Sequence, residues 1–174
     1  MIKQIRMKLR GPAPGMAKRE FNALAKESWG ETGKFFHASY THKRFTVDHA
    51  RAAKYGKRKG EGLSRGSRAF RRSYYGKKLR SERGGGVGQA LPLVNTGETR
   101  RASRIPSIRA TKSGLKIRYK VRKLNLRHPN SRIRMAKEFR TILPAERKAI
   151  VQRYDQELER RLNAVTATRT VVIN

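Results

Sequence analysis

The sequence predicts an α+β fold: a small antiparallel β-sheet packed against two principal helices, with a long basic loop and extended termini. Three observations carry that expectation. Apolar residues recur at helical spacing over 16–29 and again over 150–162. Apolar and basic residues alternate over 115–122, behind a glycine-containing turn. Residues 57–88 hold too few aliphatic side chains to suit either element. With 174 residues the chain has room for a real core, since one core commonly serves roughly 100–200 residues. The expected organisation is an arm over 1–15, one α+β domain over 16–163 containing the basic loop 57–88, and a tail or strand over 164–174.

Residues 1–9 alternate at period two and suit a strand or an arm that orders on a partner. Gly11-Pro12-Ala13-Pro14-Gly15 stops regular structure. From Met16 to Trp29, Ala17, Phe21, Leu24, Ala25 and Ser28 form one face of an amphipathic helix, with Lys18, Arg19, Glu20 and Lys26 opposite. An aromatic segment, Gly33 to Tyr40, follows. Thr46 can cap a short helix through Asp48, His49 and Ala52, which Gly56 would end. Residues 57–83 carry eleven Lys or Arg against Glu61 and Glu82; this is the predicted basic loop, closed by Gly84 to Gly88. Leu91 to Ser103 reads as a turn and short helix. Ile105, Ile108 and Ala110, the turn Thr111-Lys112-Ser113-Gly114, then Leu115, Ile117, Tyr119 and Val121 make a hairpin whose second strand has a basic face. A connection through His128-Pro129-Asn130 reaches Pro144, placed where a first helical turn tolerates it. Ile150, Val151, Tyr154, Leu158 and Leu162 form the stripe of a second long helix, through about Asn163, that holds four of the twelve acids. The last residues, 170–174, are β-prone and suited to a sheet edge.

Lys and Arg number 44 against 12 acidic residues, a formal net charge of +32. A free small domain is comfortable at a magnitude of about 2–8, so this chain repels itself until something anionic neutralises it. Nucleic acid phosphates, anionic membrane and acidic protein can each do so, and charge alone does not rank them; nucleic acid is the first expectation. Cysteine is absent, which excludes disulfides and cysteine-ligated zinc. The interrupted apolar pattern of the first nine residues does not suit a signal peptide, and the expected compartment is the cytoplasm or a particle assembled there, with no membrane partner.

Catalytic machinery is not visible, and no enzyme, cofactor or metal role is expected. His37, His42, His49 and His128 form no ligand pattern, and adjacent Asp48 and His49 would point apart on a helix. Gly84 to Gly88 lacks the lysine and hydroxyl that complete a phosphate-binding loop, so a hinge is the simpler reading. The informative pattern is the run Arg65, Arg68, Arg71, Arg72, Lys77, Lys78, Arg80 and Arg83, interleaved with Phe70, Tyr74 and Tyr75. Such a run suits a surface that tracks phosphates and stacks bases, or one that meets acidic neighbours. Base-specific readout is not indicated, because no helix-turn-helix or zinc-finger pattern is present.

Three segments resemble the bacteriophage virion-morphogenesis and tail-completion proteins of the neck, the head–tail connection. The central one is Pro92-Leu93-Val94-Asn95-Thr96-Gly97-Glu98-Thr99-Arg100-Arg101-Ala102-Ser103, in which Thr96 and Gly97 shape the turn that sets the sheet. The second runs from Arg134 through Phe139 to Arg147 and is similar to the family's entry into its C-terminal helix. The third is the N-terminal helix followed by a basic stretch. Glu98 departs from the pattern, standing where an apolar residue often follows Thr-Gly. The resemblance implies a structural virion protein, assembled in the host bacterial cytoplasm, that forms a closed homo-oligomeric ring of six or twelve copies around the DNA channel. Its implied neighbours are head-closure or adaptor, portal-side, and tail-terminator or tail-tube proteins, with the channel DNA. The rival readings are a ribosomal, rRNA-binding protein and an independent DNA-condensing protein.

Overall fold

Ala25, Ser28, Trp29, Thr32, Gly33 and Phe36 are spaced by threes and fours, and all six are buried along one stripe of a single helix, α1 (Lys18–Tyr40). The sequence pattern ends this helix near Trp29. The structure instead carries it through Gly30, Gly33 and the aromatic segment, because Phe36 continues the same stripe. The computed structural model describes residues 16–80, 91–94, 97–125 and 133–170, with side chains as far as 165.

Beyond α1 come a 3-10 turn at His42–Phe45, α2 (Val47–Ala52), α3 (Arg68–Arg72), α4 (Tyr74–Leu79), α5 (Glu98–Ala102), β1 (Pro106–Thr111), β2 (Gly114–Tyr119), a 3-10 turn at Arg122–Asn125, α6 (Met135–Arg140) and α7 (Pro144–Thr170). The strands pair as one two-stranded sheet. The fold is therefore α+β, as the periodicities predict. The chain clusters into two compact units, one comprising residues up to Ser39, Ser107–Arg118 and Pro144 onward, the other Tyr40–Pro106 and Tyr119–Leu143.

In the first unit, the hairpin lies directly on α1. A Cβ built at Gly33 would stand 2.8 Å from Ile108 Cγ2 and 3.2 Å from Leu115 Cδ1, so the close approach needs glycine. Ile117 is buried, while Arg109, Lys116 and Arg118 point outward, giving the expected basic face. Trp29 stacks on Tyr154 of α7 with ring centroids 4.0 Å apart. Pro144 opens α7, as predicted, but the helix runs to Thr170 instead of ending near Asn163. No glycine or proline interrupts 164–170, so nothing there stops a helix already nucleated. That replaces the expected strand-like tail as far as residue 170; residues 171–174 lie outside the described set, as does the arm 1–15.

In the second unit, Phe45, Leu93, Val94, Val121, Leu124 and Phe139 form a buried cluster, flanked by Tyr55, Tyr119 and Met135. Thr46 caps α2 as predicted, its hydroxyl accepting from the His49 amide at 3.3 Å. The helix stops at Ala53, with Lys54 in the left-handed region at φ 52°, ahead of the predicted stop at Gly56. His49 is buried beside Arg44, whose Nη1 lies 3.2 Å from Nε2. No helix among the described residues is long and apolar enough to cross a membrane.

Candidate functional site

The sequence predicts a basic loop over 57–88, and in the part that is described, 57–80, Leu63, Phe70 and Leu79 are the large aliphatic or phenyl side chains. The structure folds it around two serine caps. Ser67 accepts from the Phe70 amide at 3.1 Å and opens α3, and Ser73 accepts from the Gly76 amide at 3.0 Å and opens α4. Phe70 turns inward and meets Tyr75 edge-on at 6.3 Å. Two glycines permit the close packing. A Cβ on Gly76 would fall 2.0 Å from the Phe70 carbonyl oxygen, and one on Gly60, at φ 94°, would fall 2.1 Å from Ser73 Oγ.

Two cations of the segment point inward and hold it to its own unit. Arg58 forms a two-pronged pair with Glu138 of α6, Nη1 to Oε1 at 2.9 Å and Nη2 to Oε2 at 2.6 Å. The Gly56 amide donates to the same carboxylate at 2.9 Å. At the other end Lys78 is buried, and its ammonium donates to the backbone carbonyl of Leu91, just before core residues Leu93 and Val94. Lys78 thus leaves the set of outward contacts that the sequence suggests.

The remaining predicted contacts, Arg65, Arg68, Arg71, Arg72, Lys77 and Arg80, are exposed. Arg80 donates to the Arg71 carbonyl at 2.5 Å, which ties the end of α4 back to α3. None of the six pairs with a carboxylate among the described residues. Tyr74 and Leu63 are nearly half exposed among them. Chemically the segment is a preshaped cationic platform: its repulsion is uncompensated, and an anion placed on it relieves that repulsion. Arg83, Thr96 and Gly84 to Gly88 lie outside the described residues. Gly97 is described, and it adopts the left-handed region, at φ 76°, immediately before α5.

Sequence reasoning missed the roles of Arg58, Lys78 and Glu138. Arg58 and Glu138 are 80 positions apart, and neither has a local pattern that announces a pair. Lys78 has a pH signature. Burial, reinforced by the positive charge of Arg58, pushes its ammonium from 10.5 down to about 8. Between those values the unfolded chain holds a proton that the folded chain lacks, so stability rises with pH across that window. Lys78→Met keeps the buried stem and removes the titration. The expected result is a stability–pH curve for wild type that climbs relative to the variant's between about pH 8 and 10.5 in denaturant titrations; parallel curves would refute the buried ammonium.

No group of three or more side chains suited to a metal ion occurs among the described residues. The fold and surface together define a small α+β polycation with an organised basic platform. No family model matches the chain, and neither a curated protein nor a solved structure matches it.

Proposed function

We propose that the protein is a structural, non-catalytic subunit of a phage neck, a tail-completion or head–tail joining protein that assembles as a ring around the DNA channel and resides in the virion. The observation that supports its contact role is the platform: six outward cations without carboxylate partners among the described residues, on a segment held by Arg58 and Lys78. A surface organised before encounter loses less conformational entropy on binding than a floppy tail of equal charge. The virion role itself rests on the Pro92–Ser103 and Arg134–Arg147 segments and their resemblance to neck proteins.

One observation favours the ribosomal reading. Arg109, Lys116 and Arg118 place exposed cations on the folded hairpin as well as on the platform, as suits a protein embedded in RNA. Light scattering and negative-stain imaging of the purified chain, at moderate salt and free of nucleic acid, separate the two. Closed rings of uniform size are the expected result. A monomer that multimerises only when ribosomal RNA is added would overturn the neck reading in favour of the ribosomal one.

A further inference from the structure

The second unit contains a cleft beside the start of the basic segment, which contributes Lys57 to its wall. It has a volume of about 440 Å³ and lies between the stretch that follows α2 and helix α6. Four cations line it: Lys54, Lys57, Arg134 and Lys137. One carboxylate, Glu138, also borders it, but both its oxygens are already engaged by Arg58 and the Gly56 amide. Its charge is therefore spoken for, and the four cations face the cleft without a carboxylate partner among the described residues.

We propose that this cleft is a phosphate-binding site that takes a backbone phosphate of nucleic acid. Like charges gathered around one concavity focus a positive potential that a phosphate relieves. The volume falls in the range of ordinary ligand sites, roughly 300–1,000 Å³, and exceeds what a lone ion needs, so sugar can enter beside phosphate. Lys54 reaches the wall from the left-handed end of α2, at φ 52°, where the Tyr55 amide donates to the Ala50 carbonyl at 2.9 Å and the Lys54 amide to the Arg51 carbonyl at 3.1 Å. The wall is tied to α6 through the Gly56 amide, which donates to Glu138 Oε1 at 2.9 Å. The site goes beyond the platform described above and does not depend on ring assembly.

Because the chain is so basic, affinity alone cannot test the site; position-resolved chemistry can. The full chain is acetylated with a lysine-selective reagent, alone, with sodium pyrophosphate and with a short DNA duplex, and each lysine is followed by peptide mass spectrometry. Lys54, Lys57 and Lys137 are expected to lose reactivity together at duplex concentrations that leave Lys112, Lys116 and Lys120 on the hairpin side unchanged. Protection by pyrophosphate as well would show that an isolated phosphate group suffices, and protection by duplex alone would show that the diester backbone is needed. Protection by pyrophosphate only, equal protection of all six lysines, or none would overturn the proposal. As a second measurement, Arg134→Gln with Lys137→Gln is expected to weaken duplex binding about tenfold more than Lys116→Gln with Lys120→Gln, with folding checked by circular dichroism. Equal losses would likewise overturn it.

Discussion

Glu138→Ala is expected to destabilise the second unit by about 3–5 kcal/mol, the range for removing one partner of a buried ion pair. The Arg58 and Glu138 side chains are only 14% and 11% exposed, so solvent does little to screen the guanidinium once its partner is gone. The Gly56 amide loses its acceptor in the same step. Denaturant titration gives the total, and hydrogen exchange at the Gly56 amide reads the local opening. The double change Arg58→Met with Glu138→Leu removes both charges and is expected to recover most of the loss, since replacing a buried pair by apolar groups is often nearly neutral. A loss below about 1 kcal/mol for Glu138→Ala would mean that the pair behaves as a surface contact. The double variant also separates packing from function: it keeps the outward arginines while changing how firmly the platform is held.

The elements that were legible are those whose signal is local. Thr46 as a cap, Pro144 as a helix opener and the alternation through Leu115, Ile117 and Tyr119 each carry their meaning within a few residues. Helices α3 and α4 were not legible as helices, because five and six residues are too few for a period of 3.6 to be recognised, and Phe70 is the one large apolar side chain they bury. Gly33 looked like the start of a separate aromatic segment. Its actual role, a gap that admits Ile108 and Leu115, is invisible until the hairpin is placed against α1. The basic surface divides along the same line. Exposure of Arg65, Arg68, Arg71 and Arg72 follows from the lack of apolar residues to cover them. Nothing in the sequence distinguishes Lys77, which faces solvent, from Lys78, which is buried under it, and the cleft cations Lys54 and Arg134 are far apart in the chain. Composition indicates that a surface is cationic; only tertiary contacts show which cations are already used.

Trp29→Ala is expected to cost the first unit about 3–5 kcal/mol, the range for deleting a large buried aromatic. Trp29 is 4% exposed and Tyr154 1%, and their rings stack with an interplanar angle of 25°. The neighbours on α1 cannot close the void. Ala25 is small, and Ser28 and Thr32 commit their hydroxyls to carbonyls one turn back, at 2.8 Å each to Leu24 and Ser28. Those internal bonds let polar residues line a dry helix face, but they leave no group free to reach across. Around the stack, Arg153 lies over Phe35 at 5.6 Å and pairs with Glu157 at 2.7 Å. These rim contacts are partly exposed and contribute less. Tyr154→Phe is the matching control: it keeps the ring and deletes a buried hydroxyl that has no hydrogen-bond partner among the described residues. It should leave stability unchanged or raise it by about 1 kcal/mol. Trp29 is the single tryptophan of the chain, so its fluorescence in wild type and in Tyr154→Phe follows unfolding of this unit directly, while hydrogen exchange over 24–36 and 150–158 follows it in Trp29→Ala. Unaltered protection of both stretches in Trp29→Ala would show that α1 and α7 are held by their charged rim, and the helix pairing would then have to be explained by electrostatics in place of packing.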